Sequence, residues 1–379
     1  MKTSRRICIL LPDLAGGGAE RVNLDLACEF IRLGYKVEFV LLRAHGVLLA
    51  ETQASFLVTD LGCSRIRQLP FRLACYLRQK RPDAIIAAMW PMTGIAALVT
   101  RLVSPKTRVL VSEHNDFRHA PHIKGIGRRV LSIFGALIYA MAHQVVAVSQ
   151  GVAESLSVMA GVSRERIEVI YNPIRPAQSG SINMEDQNNL QAWLNAPLRL
   201  IAIGSLKQQK RFDISLRAFA EIRKESDVHL LILGEGQLRD QLEADAIGLG
   251  ISDALHMPGF RNNVHSFLEH AHCFVLSSDY EGFGNVIVEA LSVGVPIVST
   301  DCQSGPREIL SDGRFGRLVP VGDSHALARA VEEVLQQTMD DEKYKNSLIE
   351  RARDFRPEVA ARKYLDAMFP QKKNKQDQR

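Results

Sequence analysis

Long hydrophobic runs are missing from this chain. The longest apolar stretch, residues 130–142, is far shorter than the ~20 residues a helix needs to cross a bilayer, so no transmembrane segment is expected. The run 7–11, behind a basic start, is too short for a signal-peptide core and no small-residue cleavage site follows it, so it reads as a first strand. Cysteine is scarce: Cys8, Cys28, Cys63, Cys75, Cys273 and Cys302 are scattered and include no C-x-x-C pair. That pattern excludes a disulfide scaffold, argues against zinc, and reads as small core residues in a reducing compartment. Aromatic residues are only 6% of the chain and no nucleic-acid-binding module is recognisable.

What is present describes a globular protein. The 379 residues are enough for two domains, and 46% hydrophobic with 23% charged residues is close to the soluble average. The net charge of +5 is unevenly spread: residues 1–172 carry 22 Lys+Arg and 13 Asp+Glu, a net of +9, against −4 in 173–379. Residues 64–129 alone hold 13 basic and 3 acidic side chains.

Strand and helix patterns alternate through the first 170 residues. Strands are expected at 7–11, 36–42, 84–88, 108–112 and 144–148, with helices at 19–33, 71–79, 94–102 and near 127–142. A stretch rich in Pro, Ser, Asn and Gln, 173–197, breaks the rhythm and reads as a linker. A second alternating series follows, with strands at 198–203, 229–233, 255–257, 273–276 and 296–300 and helices at 212–222, 237–249, 264–271, 285–293 and 324–337. The last helical pattern runs from about 341 to 369, and the tail 370–379 is expected to be solvated and disordered. The reading is an α/β chain of two domains, 1–172 and 198–352, each with a parallel sheet. Ligands in such sheets bind beyond the carboxyl ends of the strands, and the expected site is the cleft between the domains.

The first strand meets the first helix at Pro12-Asp13-Leu14-Ala15-Gly16-Gly17-Gly18-Ala19-Glu20-Arg21. Gly16, Gly17 and Gly18 let a ligand approach the backbone, and the helix start favours an anion. The plain alternative is a tight turn without a ligand. A dinucleotide fingerprint is excluded, because Arg21 stands where its third glycine belongs and Arg43 follows the second strand where an acidic residue is required.

The densest chemistry lies at 277–308. Glu281-Gly282-Phe283-Gly284 forms a loop opening a helix at Asn285, and Glu289 follows eight residues after Glu281. Amides at that helix start suit a diphosphate, and carboxylates accept hydrogen bonds from vicinal sugar hydroxyls. A second turn, Ser304-Gly305-Pro306, follows the next strand.

Glu281 through Glu289-Ala290 resembles the E-x7-E motif of glycosyltransferase family 4. The resemblance extends to the glycine-rich first turn, Val148-Ser149, Ile170-Tyr171-Asn172-Pro173, the segment Gly204 to Lys210 and the C-terminal helix. It implies the GT-B fold, two Rossmann-like domains facing across a cleft, with a crossover helix at 353–369 packing back on the N-terminal domain. It also implies a retaining, metal-independent transferase with a nucleotide-sugar donor. GGGAERV, EGFGNVIVEAL and SGPREIL resemble bacterial enzymes that build O-antigen, capsule or lipid-linked oligosaccharides.

Carried over by that resemblance, Glu281 contacts the donor sugar. Phe283, Gly284, Asn285 and Val286 lie against sugar and diphosphate, and Glu289 binds the ribose. Lys210 neutralises the diphosphate, and His114, in Ser112-Glu113-His114-Asn115, is an active-site histidine. Gly16 to Gly18 face the donor phosphate or the acceptor. Glu289 as a surface residue, His114 as a structural histidine and Lys210 as solvated charge are the plain alternatives. One departure is evident: Ser205 stands where the family has an arginine, which removes a guanidinium from the phosphate site unless Lys207 or Arg211 replaces it. Arg261 is a further candidate, for the base pocket.

The expected reaction moves a hexose or N-acetylhexosamine, with N-acetylgalactosamine preferred, from a UDP-sugar to a polyprenyl-diphosphate-linked acceptor. No Asp-x-Asp motif provides for a metal. A GT-B-like epimerase, or a transferase with a soluble acceptor, is the alternative. The basic stretch reads as two candidate contacts with an anionic membrane surface, 64–81 and 124–138. The expected location is cytoplasmic, peripheral on the inner membrane. A solvated basic face with core helices is the plain alternative.

Overall fold

The computed structural model describes residues 4–119, 125–176, 180–338 and 341–370. The chain forms two compact units: residues up to Pro173 together with those from Pro357 onward, and Ile174–Arg356.

The first unit is built on β1 (Arg6–Leu11), β2 (Lys36–Leu41), β3 (Leu57–Asp60), β4 (Ala84–Ala88), β5 (Arg108–Glu113), β6 (Gln144–Ala147) and β7 (Ile167–Val169). Their order in the sheet is β3-β2-β1-β4-β5-β6-β7, and every pairing is parallel. Central strands of such a sheet are covered on both faces, which is why β1 and β4 are nearly continuous apolar runs rather than alternating ones. The order reverses between β1 and β4, so the carboxyl ends of β1, β4 and β5 surround the sheet's switch point. The helix Pro357–Met368 belongs to this unit, with Ala360, Ala361, Tyr364 and Met368 in the same core as β1 and β2.

The second unit contains β8 (Leu198–Ile203), β9 (Val228–Leu233), β10 (Leu255–Gly259), β11 (Cys273–Leu276), β12 (Ile297–Thr300) and β13 (Arg317–Val319). These run parallel in the order β10-β9-β8-β11-β12-β13. Here the reversal falls between β8 and β11.

Three expectations change. The stretch 173–197 is not a free linker. Asn183 caps a short helix, Met184–Asn189, by accepting from the Asp186 amide at 2.8 Å. Trp193 is fully buried, its indole donating to the Leu200 carbonyl at 3.1 Å. One tryptophan supplies enough apolar area to dock a segment whose composition is otherwise polar. Second, the helical pattern 341–369 is two helices, Glu342–Ala352 and Pro357–Met368. Pro357 opens the second, so the crossover helix begins there rather than at residue 353. Third, the sequence reading missed β3, β7 and the helices Leu49–Ser55 and Gln150–Ala160, whose apolar patterns are short or interrupted. Residues 371–379 and Lys124 lie outside the described residues.

Candidate active site

The switch point of the second sheet gathers two loops. The loop after β8 carries Ser205, Leu206, Lys207 and a single 3-10 turn, Gln208–Lys210; the loop after β11 carries Ser277 to Gly284. Polar contacts tie one to the other. Gln209 donates its side-chain amide to the Tyr280 carbonyl at 2.7 Å and accepts the Asp279 amide at 2.9 Å. Ser277 donates to the Lys210 carbonyl at 2.8 Å.

Within this frame Lys210 Nζ donates to Glu281 Oε1 at 2.6 Å, and Ser278 Oγ donates to the same oxygen at 2.7 Å. Glu281 is only 6% exposed. A carboxylate so far from water is tolerated because a cation and a hydroxyl share its charge. The lysine stem runs along Gly204, whose hydrogen leaves the room a Cβ would take, 3.2 Å from Lys210 Cε.

The helix Asn285–Ser292 starts directly beyond this pair. Gly284 is its N-cap at φ +100°, a left-handed conformation that glycine adopts without strain, and as a glycine it brings no capping side chain of its own. Gly305, of the Ser304-Gly305-Pro306 turn, sits against the loop: a Cβ there would lie 1.7 Å from the Phe283 carbonyl oxygen. That close approach explains why the second turn must contain glycine. The Phe283 ring is buried edge-on to Phe355, so its side chain faces protein rather than a ligand. Asn285 and Glu289 are four apart and therefore on one helix face, both half-buried with Val286 between them, while Ile287, Val288, Ala290 and Leu291 face the core.

The missing arginine at Ser205 is not replaced by Arg211. That guanidinium is held by Asp213 at 2.9 Å and Asp279 at 3.0 Å, and these hydrogen bonds raise its pKa further. Lys207 is the other cation at the switch point. It is exposed, yet loss of hydration, and then the neighbouring Lys210, pull its ammonium below the usual range. Two ammonium groups repelling each other form a site that an anion would relieve. Arg261 is not available for a base pocket: it is bidentate to Asp186, with Nε–Oδ2 at 2.8 Å, and donates to the Pro258 carbonyl at 2.7 Å. It fastens the segment 184–189 to the loop after β10.

In the first unit the glycine-rich turn follows β1 and opens the helix Gly18–Arg32. The sequence reading expected its amides to be open to a ligand. Instead Glu20 folds back over Gly17, its Oε2 standing 2.4 Å from where a Gly17 Cβ would be. Burial raises the Glu20 carboxyl, while the backbone N–H groups of Glu20 and Gly17 act to lower it. The helix start therefore carries a carboxylate of the protein's own, and a phosphate there must share or displace it.

His114 follows β5. It is 8% exposed; Nε2 lies 3.2 Å from Ser112 Oγ, and among the described residues Nδ1 has no partner. Burial lowers its pKa to about 4, so the ring is neutral. Glu113 beside it is buried and accepts from Thr93 Oγ1 at 2.6 Å, Tyr139 OH at 2.5 Å and the Trp90 amide at 3.1 Å. Burial raises its pKa to about 7 in spite of those donors. Glu113 fixes the ends of β4 and β5 together. Its position at the close of an apolar strand was a legible signal that the sequence reading did not use; Ser278 and Tyr364 gave none.

These titrations predict acid lability. His114, His256 and His272 are each lowered to about 4, and His143 and His265 are lowered too, chiefly by burial. A depressed folded pKa gives stability that is present above about 6.5 and lost as pH falls toward 4. Glu113, Glu20 and Glu168 are raised and act in the opposite sense, but the imidazoles outnumber them. The melting temperature should fall by roughly 5 °C between pH 7 and pH 5. An unchanged or higher melting temperature at pH 5 in scanning fluorimetry would contradict the assignment of neutral buried histidines.

Of the basic stretch, Leu69, Leu73, Tyr76 and Leu77 point into the core, so the expected apolar side of residues 64–81 faces protein rather than lipid. Only Ile66 and Phe71 remain exposed as large apolar side chains among its exposed arginines. The helix Gly125–Ala140 is different. Val130, Ile133, Phe134 and Leu137, spaced as one helical stripe, are all exposed, with Arg128 and Arg129 exposed just before them. No helix among the described residues is long and apolar enough to cross a membrane.

Comparison with known proteins follows the same division of the chain. The family model described as Glycosyltransferase Family 4 matches residues 16–178, and that described as Glycosyl transferases group 1 matches residues 185–355. The chain is 27% identical over 371 residues, 95% of its length and 99% of the relative's, to the N-acetylgalactosamine-N,N'-diacetylbacillosaminyl-diphospho-undecaprenol 4-alpha-N-acetylgalactosaminyltransferase of Campylobacter jejuni. A second N-acetyl-D-galactosaminyltransferase of that organism, named for a GalNAc-containing diphospho-undecaprenol substrate, is 26% identical over 92% of both chains. Among solved structures, Anabaena HepE in complex with UDP superimposes with a TM-score of 0.78 at 20% identity, covering 95% of this chain and 98% of that one. WaaG, a glycosyltransferase involved in lipopolysaccharide biosynthesis, gives 0.72 at 16% identity, covering 96% and 100%.

Proposed function

Since the chain belongs to glycosyltransferase family 4 and has the GT-B fold, we propose that it transfers an N-acetylhexosamine, N-acetylgalactosamine first, from a UDP-sugar to a polyprenyl-diphosphate-linked saccharide. The observation that carries this reading is the Lys210–Glu281 pair at the β8/β11 switch point, immediately before the start of the helix Asn285–Ser292. In this reading the β-phosphate lies against the amides of that helix start, with Lys210 and Lys207 neutralising it. Glu281 accepts from sugar hydroxyls, and Glu289 takes the ribose. As the C1–O bond to phosphate breaks, negative charge grows on the leaving diphosphate and is met by donors already in place. The acceptor oxygen forms its bond to C1 on the same face, and its proton passes to the departing phosphate oxygen, so the anomeric configuration is retained. No metal is required for these roles.

The relatives named for undecaprenyl-diphosphate substrates, together with the exposed apolar stripe of helix Gly125–Ala140 behind Arg128 and Arg129, support an acceptor held at an anionic membrane surface. The test is product formation from a panel of UDP-sugars and a short polyprenyl-diphosphate saccharide, with the product anomer read by NMR. Transfer should persist with excess EDTA; turnover that stops with chelator overturns metal independence, and no product with any UDP-sugar overturns the reading. In flotation assays the protein should rise with anionic vesicles and not with neutral ones. Equal binding to both, or flotation undiminished by Ile133→Ser with Phe134→Ser and Leu137→Ser, would remove the membrane role of that stripe.

A further inference from the structure

His114 is joined to the C-terminal helix through one hydroxyl. Ser112 Oγ, at the end of β5, lies 3.2 Å from His114 Nε2 and 2.9 Å from the Tyr364 hydroxyl. Tyr364 comes from the helix Pro357–Met368, some 250 residues away in sequence (|i−j| = 252), and is 1% exposed. The direction of each hydrogen bond follows from counting protons. Burial pushes the Tyr364 phenol up to about 12, so it keeps its hydrogen. Among the described residues its one hydrogen-bond partner is Ser112, and a buried O–H left undonated is costly. The phenol therefore donates to Ser112 Oγ. The serine proton then goes to its other partner, His114 Nε2, which must present a lone pair. A neutral imidazole with its Nε2 lone pair engaged carries its hydrogen on Nδ1. That Nδ1–H is then the one unengaged group of the relay among the described residues, whereas hydrogen on Nε2 would leave both one donor hydrogen and the Nδ1 lone pair unengaged.

We infer that Tyr364 and Ser112 are positioning residues that fix His114 as a neutral Nδ1–H donor. On the proposed function, on which this inference rests, His114 then hydrogen-bonds an electron-rich oxygen of the bound substrate and does not take up the acceptor's proton. The crossover helix thereby sets the chemistry of a side chain at the far end of β5, a role separate from its packing.

The experiment is long-range 1H–15N correlation on the full chain labelled at histidine nitrogens, with the His114 signals assigned by their loss in His114→Gln. At pH 7, without substrate, His114 should show the Nδ1-protonated pattern. In Tyr364→Phe the phenol hydrogen is gone, either direction of the Ser112–His114 contact then leaves one hydrogen undonated, and the Nε2-protonated form should become populated; Ser112→Ala should also change the pattern. With a UDP-sugar and acceptor, Tyr364→Phe should lose roughly tenfold in kcat/KM, the worth of one hydrogen bond, with its melting temperature near that of the parent. Ser112→Thr, which keeps the hydroxyl, should stay closer to the parent than Ser112→Ala. An Nε2-protonated His114 in the parent, or a tautomer unchanged in both Tyr364→Phe and Ser112→Ala, overturns the inference. Because the tautomer is read without substrate, that failure is distinct from failure of the proposed function, which absence of transfer by the parent protein would signal.

Discussion

Glu281→Gln should lower sugar transfer by roughly a thousandfold or more, with the fold intact. The substitution keeps the shape of the side chain and removes its charge. In the parent, Oε1 already accepts from Lys210 at 2.6 Å and Ser278 at 2.7 Å. Both contacts fix the orientation of the carboxylate. Glutamine can offer one carbonyl oxygen to Lys210 only by turning its amide N–H2 to the side where the carboxylate has its second oxygen, the acceptor that the proposed function assigns to sugar hydroxyls. Lys210, 13% exposed along its side chain, is then left with less compensation. The resulting stability loss should be about 1–3 kcal/mol, less than for an ion wholly removed from water. Initial rates and a melting curve on the same preparation check both halves. Turnover within tenfold of the parent would sink the site assignment; a collapsed melting transition would make Glu281 a structural residue first.

On the proposed function, Lys210→Met should reduce kcat by roughly a hundred- to a thousandfold, because the leaving diphosphate would lose the cation that Glu281 holds in place. The effect should exceed that of Lys207→Met, since Lys207 is exposed and Lys210 is held in place by Glu281 and by the backbone of the 3-10 turn. The double variant Lys210→Met with Glu281→Gln should be much less impaired than the product of the single losses. The two side chains act as one unit, and each single change strands the other's charge. Multiplicative losses in the double variant would show that the pair does not work together. Binding of UDP, read by thermal shift, should weaken in Lys210→Met, as a diphosphate contact requires.

The residues of the site differ in how far the sequence alone brings them together. Glu281, Gly284, Asn285 and Glu289 are near neighbours, so strand, loop and helix patterning alone placed them together, and the observed helix start at Asn285 agrees with that reading. Lys210 is 71 residues from Glu281, and only family resemblance linked them; their direct contact is a product of sheet order. Compensation for Ser205 is open in the sequence because Lys207 and Arg211 are both basic and both follow it within about two helical turns of chain. Arg211 is distinguished only by the two carboxylates that fold around it. Arg261 was misplaced for the same reason, since its partner Asp186 lies 75 residues away in a stretch whose composition looked like linker.

Local periodicity and composition were sufficient for two parallel α/β units, because a strand buried on both faces and a helix with one apolar stripe each leave a pattern within a few residues. The sequence by itself also determined that the first half is the basic one and that the loop at 281–284 opens a helix. Tertiary structure alone decided which basic side chains are still available for a ligand, which apolar residues of the basic stretch reach solvent, and which nitrogen of His114 is left without a partner. Those properties depend on proton and charge partners brought from distant strands and from the returning C-terminal helix. A carboxylate's or imidazole's state is set by what stands within a few ångströms of it, and sequence spacing does not record that distance.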